Sequence, residues 1–478
     1  MAKAKSKKTK ESSFSGLDFS DVFDDVENQS KLQSIEVKER LDASIAISSG
    51  SLQLDVAILG GGYYPGRAYD WVGPESGGKT TTGNSALANA LTHIPKYTVG
   101  HYYDFEGSLD TRWFMNIAGR PDDSPDEVFG RRNKRGEWEV KPRIRLYKPR
   151  FGEQGLLLMI KHLNSLPDKA LFMDEWWYTW TPVEAKVKKK TGGLLAKDIE
   201  EMLRQQGVQW DKDFLKKNRL YGIRVPENYG GCEGLIFVDS WAAMTPQQTA
   251  EDDSAAMAQQ GRMFGTYINQ VKNLLSIKGW TCIGVNQVRL NPNARFGSPE
   301  YSPGGEALKH FCDCRNRIGA VSNQNGSGQT ELENHGLDEY KHFIIRNRKN
   351  KVTTPYGEIS GRWWVKRNGQ TGCGLDPVLD TIKYLELTGQ LEKSRKGYII
   401  KLQDKSKAAQ HMSDIVFKYE DFKAMVLNGQ VDTGKNTVKF NIRKHCFKQI
   451  KQGLGMELYY NNNDIENTDN EQEDDDND

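Results

Sequence analysis

No apolar run in this sequence is long enough to cross a membrane. The longest, such as GLLLMI at 155–160, falls far short of the roughly 20 residues that a helical span requires. The lysine-rich start at residues 3–10 lacks the apolar stretch that a secretory signal would need. Cysteine is also scarce. Its six copies, at 232, 282, 312, 314, 373 and 446, have neither the density of a disulfide framework nor the paired spacing of a zinc site. Cys312 and Cys314 form the one close pair and read as buried thiols, which suits a reducing cytoplasm. Net charge is close to absent at +2, but this average conceals segregation: lysines crowd the start, while 464–478 is almost wholly Asp, Glu and Asn. Such blocks often accompany proteins that handle polyanions, and equally serve as solubilising tails.

What remains is a chain of 478 residues, 37% hydrophobic, with a mean hydropathy of −0.70. These values predict a soluble globular protein of two or three domains with polar flanks. Residues 1–45 read as a flank, with a helix-like segment at 30–41. From Ile45 onward, short β-rich apolar runs alternate with helical segments, the pattern of an α/β fold with a mostly parallel central sheet. Four runs stand out as strands, at 68–72, 97–103, 235–238 and 280–285, and each ends on a polar group. In open α/β sheets ligands bind beyond the carboxyl ends of the strands, so these ends predict one site.

A stretch at about 167–232 differs in character. It combines Trp176, Trp177, Tyr178 and Trp180 with a lysine run at 186–190 and a helical 196–206, and reads as an inserted module. A smaller insert around 131–136, flanked by Trp138 and Val140, reads as a hairpin. The core is expected over 46–369, a small α+β domain over 370–460, and an acidic disordered tail over 461–478.

The run GPESGGKT at 73–80 fits G-x-x-x-x-G-K-[ST], between a strand and a helical run at 81–90. In the turn made by Gly73, Pro74, Glu75, Ser76, Gly77 and Gly78, the glycines would let backbone N–H groups wrap around phosphate oxygens. Lys79 would reach the β and γ phosphates of ATP, and the Thr80 hydroxyl would ligate Mg2+ beside Thr81. Asp104 and Glu106 are acidic candidates for orienting water, with Glu106 preferred. Asp239 closes an apolar strand and is the preferred partner of the Mg2+ shell; Asp174 and Glu175, after the apolar run at 171–173, compete for that role.

In order along the chain, the segments at 47–55, 73–81, 104–110, 152–154, 238–246, 286–289, 296–300, 304–309 and 349–351 resemble those of bacterial RecA and its phage-borne relatives. The resemblance implies a RecA-type ATPase core and a DNA-dependent ATPase that forms a filament on single-stranded DNA and promotes strand exchange. Glu106 would be the water-activating base, Asp110 would contact the adenine side, and Gln287 would sense the γ-phosphate. Lys349 and Lys351 would reach the neighbouring subunit's ATP. Two loops, 249–260 and 290–305, would hold DNA through Met257, Arg262, Arg289, Phe296, Gly304 and Gly305. Asn291 and Pro292 depart from the basic and apolar residues common in relatives.

The implied partners are single-stranded DNA, double-stranded DNA, the chain itself as a helical filament, and single-strand-binding and loader proteins. The implied place is the cytoplasm of a bacterial or phage-infected cell. A subunit-docking segment would lie in the first 45 residues, where Phe14, Phe19 and Phe23 are candidates. Lys439, Arg443, Lys444, Lys448 and Lys451 would form a basic patch that captures duplex DNA, with the acidic tail competing for it. Two other classes share part of this pattern: a helicase-type motor built on the same fold, and an ATP-gated scaffold that coats single strands.

Overall fold

The computed structural model describes residues 45–94, 98–166, 168–172, 175–180, 221–224, 233–247, 253–290, 300–320, 333–335, 338–367, 370–402, 416–432, 437–454 and 457–459. The chain divides into units 1–42 and 43–478, and all described residues belong to the second. The helix expected at 30–41, the helical 196–206 and the tail at 461–478 lie outside the described residues.

The nine strands that form the continuous path of the central sheet are β1 (Ala68–Gly73), β2 (Gly100–Asp104), β3 (Ile144–Tyr147), β4 (Gly234–Asp239), β5 (Trp280–Gln287), β6 (Cys314–Ala320), β7 (Asp338–Asn350), β8 (Glu358–Arg367) and β9 (Gln370–Leu375). They pair in the order β9-β8-β7-β6-β1-β5-β4-β2-β3, and a tenth strand, Glu333–His335, pairs with β7. From β6 to β3 every pairing is parallel, while β7, β8 and β9 continue the sheet antiparallel. The principal helices are α1 (Lys79–His93), α2 (Thr111–Ile117), α3 (Gly152–Ser165), α4 (Asp253–Lys278), α5 (Gly305–Phe311), α6 (Pro377–Leu387), α7 (Tyr419–Leu427) and α8 (Ile442–Leu454).

Alternation along the strands explains why the central runs are wholly apolar. In β4, Leu235 and Phe237 join the core under α1 and α2, while Ile236 and Val238 join a second core with Leu156 and Met159 of α3 and Phe264, Ile268 and Leu275 of α4. A strand covered on both faces has no polar side to show. Among the described residues no helix is long and apolar enough to cross a membrane.

Two expectations need correction. The boundary drawn at 369 falls inside a hairpin: β9 pairs antiparallel with β8, so the main sheet runs on to Leu375. The loop expected over 249–260 is helical from Asp253, because Ala255, Ala256, Met257 and Ala258 favour helix and extend α4 ahead of its apolar face. The run competing with Asp239 forms strand Asp168–Phe172 of a separate three-stranded antiparallel sheet with Glu175–Trp180 and Tyr221–Arg224, outside the central sheet.

After β9, α6, α7 and α8 pack with Leu391, Ile400 and Phe417 around a third core that also takes in Ala46 and Leu52. Arg443, expected on a basic surface, is buried there. Its guanidinium pairs with Asp380 at 2.9 Å and donates to the Gly50 carbonyl at 2.7 Å, since a buried carboxylate needs a cation beside it.

Candidate functional site

The carboxyl ends of four adjacent parallel strands form one rim. Gly73 of β1 is in register with Gln287 of β5, and Asp239 of β4 with Asp104 of β2. The turn from β1 into α1 runs over residues 74–78, and Gly78 caps the helix at φ 91°. Any Cβ there would strike the edge of the Trp363 indole, so the position demands glycine twice over. Gly73 likewise passes against the Ile318 carbonyl. Free N–H groups at the start of a 15-residue helix make this turn a cradle for anionic oxygens.

Lys79, the first residue of α1, donates from Nζ to the Pro74 carbonyl at 2.6 Å, which folds its ammonium back over the turn. Burial lowers its pKa, while Asp239, Glu106 and Glu75 act in the opposite sense. Thr80 donates to Asp239 Oδ2 at 3.0 Å. Tyr102 donates to the same oxygen at 3.1 Å. Burial, then the nearby Glu106 charge, pushes Asp239 up to about 6. A hydroxyl and a carboxylate in contact beside an anion cradle are hard oxygen donors that fit Mg2+.

Glu106 stands on the turn after β2. That turn is held by Asp104, whose carboxylate accepts from the backbone of Ser108 at 3.1 Å and Leu109 at 3.4 Å. The Asp239 carbonyl also accepts from Phe105 N at 2.6 Å and Glu106 N at 3.3 Å, joining the ends of β2 and β4. Asp104 is thereby committed to shaping the turn, whereas Glu106 is directed toward Ser240 and Gln287. Its Oε1 receives the Ser240 hydroxyl and, at 3.3 Å, the Gln287 amide. Thr80, Glu106, Asp239 and Gln287 are thus brought together at the rim.

Ser240, Tyr102 and Trp363 did not emerge from the sequence reading. Ser240 follows Asp239 directly and offered a faint signal. Tyr102 shares a strand face with Asp104, but nothing local ties it to Asp239. Trp363 lies 285 residues from Gly78 and carried no signal.

Asp110 caps α2, its Oδ1 accepting from the backbone of Arg112 at 2.9 Å and Trp113 at 3.1 Å. Lys349 and Lys351 are not brought to this rim. Lys349 is in register with Arg315, itself level with Asp70 toward the amino ends of the strands, and Lys349 Nζ donates to the Lys309 carbonyl at 2.5 Å. Lys351 follows β7 and is exposed.

Beyond β5, Arg289 pairs with Tyr301, and Asn286 donates to the Pro303 carbonyl at 3.0 Å, drawing 300–305 back over the strand end. A Cβ on Gly305 would lie 3.6 Å from Gly261, the neighbour of exposed Arg262 on α4. Arg262, Arg289, Gly304 and Gly305 therefore gather on the rim side of the sheet. Met257 lies in the first turns of α4, with its side chain outside the described set, and Phe296 lies outside the described residues altogether.

The description RecA N-terminal domain matches residues 23–119 and 228–362. Protein RecA of Streptococcus pneumoniae strain Hungary19A-6 is 25% identical over 330 residues, covering 67% of this chain and 60% of that protein. The same protein of strains CGSP14 and ATCC BAA-334 / TIGR4 gives the same figures. The chain thus spans about 60% of the length of the curated relatives it matches. The matched stretches contain five of the six parallel strands, the phosphate-loop turn and all four side chains that converge at the rim, and on this ground the chain belongs to the RecA family.

Proposed function

We propose that this protein is an ATP-dependent homologous-recombination protein that forms a filament on single-stranded DNA and promotes homologous pairing and strand exchange, with DNA-dependent ATP hydrolysis. The observation that carries this reading is the contact between Gln287 and Glu106. Gln287 ends β5, and the chain runs on from it to Arg289 and the loop expected to grip DNA. A change in that loop therefore moves an amide bonded to the carboxylate expected to act on water.

In this reading the 73–80 turn and Lys79 bind the phosphates of ATP. Mg2+, held by Thr80 and Asp239, would neutralise charge on the β and γ oxygens. Glu106 orients the attacking water and accepts its proton, while Ser240 and Gln287 fix the carboxylate's direction. Asp110 lies at the adenine side. Lys349 and Lys351 serve the site of the next protomer in the filament, which is consistent with their distance from the rim of their own chain. Single-strand-binding and loader proteins would act on the same filament in the cytoplasm. The four described cysteines Cys282, Cys312, Cys314 and Cys446 are buried and unpaired, in keeping with a reducing compartment.

The test is ATP turnover with and without single-stranded DNA, beside Lys79→Ala. Stimulation by DNA and its loss in the variant are expected, and equal turnover in both conditions refutes the reading. A strand-exchange assay with homologous and heterologous duplex completes it: DNA coating and turnover without joint molecules would indicate a scaffold instead.

A further inference from the structure

Residues 120–227 lie between the two stretches matched by the RecA N-terminal domain, and they contain an exposed basic hairpin. Its strands, Arg131–Arg132 and Trp138–Val140, are closed by a tight turn in which Asn133 accepts through Oδ1 from the backbone of Arg135 at 2.9 Å and Glu137 at 3.0 Å. Its base is anchored by Arg131, paired with Asp126 at 3.2 Å and Glu139 at 3.0 Å. Arg132 lies 3.9 Å from the Trp138 ring centroid, held flat by the aromatic face. At the tip, Lys134 and Arg135 are exposed and make no side-chain ion pair or hydrogen bond among the described residues. Residues 131–143 carry six cations against two carboxylates. A ribbon whose Glu139 is taken up by Arg131 at the base and whose Glu137 accepts from the Asn133 side-chain amide within the turn, while Lys134 and Arg135 carry no partner among the described residues, is arranged for an anionic partner.

Its place in the fold indicates which partner. The hairpin leads through Pro142 and Arg143 into Ile144, at the amino end of edge strand β3, whereas Glu106, Asp239 and Gln287 lie at the carboxyl ends. The five-residue strand β2 separates the two ends by about 13 Å. The three-stranded sheet that contains Glu175–Trp180 leaves the fold at this same amino end, after α3 and before β4. The candidate patch on α8, by contrast, loses Arg443 to the interior. Pairing needs a second DNA molecule besides the strand held at the rim, and a two-stranded ribbon fits the major groove of a duplex.

We propose that the hairpin at 131–140 contacts the backbone of duplex DNA, as a docking element separate from the single-strand loops. This rests on the recombination reading. The test uses the full chain with Lys134→Glu/Arg135→Glu, compared with Lys444→Glu/Lys448→Glu on α8. Binding of a labelled mixed-sequence duplex is followed by anisotropy across a salt titration, alongside single-strand-stimulated ATP turnover. In the hairpin variant, duplex affinity at low salt should fall about tenfold and the salt slope by about two, with turnover at the wild-type level.

Unchanged duplex affinity and slope overturn the proposal. So does an equal loss for single-stranded DNA, or a loss confined to the α8 variant. Wild-type turnover that ignores single-stranded DNA would instead overturn the functional reading, while the duplex titration alone still decides the role of the hairpin.

Discussion

Asp239 joins the buried end of β4 to Thr80 of α1 and Tyr102 of β2, and its carboxyl titrates at about 6 because burial penalises the charged form. A proton and Mg2+ compete for the same oxygens. Above pH 7 the carboxylate is free of its proton, so the Mg2+ concentration that half-saturates nucleotide binding should be level there. Below pH 6 it should rise about tenfold per pH unit, and Asp239→Asn should both weaken binding and flatten the profile. A wild-type profile already flat from pH 5 to 8 contradicts this assignment. At this scale the sequence was legible where chemistry is local: a glycine-rich turn before Lys79 and an acid closing an apolar run. The Glu106, Ser240 and Gln287 contacts were not, because they join positions as far as 181 residues apart.

Among elements, the joint between the segment at 48–55 and helices α6 and α8 is built on one carboxylate. Asp380 of α6 accepts from Ser51 Oγ at 2.6 Å, Leu52 N at 2.8 Å and Arg443 of α8 at 2.9 Å. Arg443→Met should destabilise the protein by about 3–5 kcal/mol, since Asp380 would stay buried without its cation. Combining it with Asp380→Asn should recover part of that loss in urea denaturation; a strictly additive double variant would mean that the pair is not coupled. Strands β1, β4 and β5 could be located from their apolar runs because both faces are covered. The start of α4 carries no helical signature in the sequence, because its apolar period begins only near Met263 and the preceding turns rest on alanine propensity.

For the whole molecule, Lys349 and Lys351 lie away from the rim of their own chain, and the proposed filament would have to bring them to the site of the next protomer. Lys349→Ala and Glu106→Ala should each abolish DNA-stimulated turnover when assayed singly. An equimolar mixture should restore up to about a quarter of wild-type turnover, because random neighbours then pair an intact Glu106 with an intact Lys349 at that frequency. No recovery on mixing would place both residues in one protomer's site, or Lys349 in a role unrelated to the nucleotide.

The sequence by itself determined the phosphate-loop turn, the principal parallel strands and the polar groups at their ends, because each is written in a few consecutive residues whose alternation and turn chemistry act locally. The tertiary structure alone decided which acid meets Ser240 and Gln287, that Arg443 is interior, that β9 belongs to the main sheet, and that the hairpin and the lysine pair lie away from the rim. Those outcomes depend on which distant strands pair and in what register, and burial in the assembled sheet, not residue type, sets the charge each group can carry.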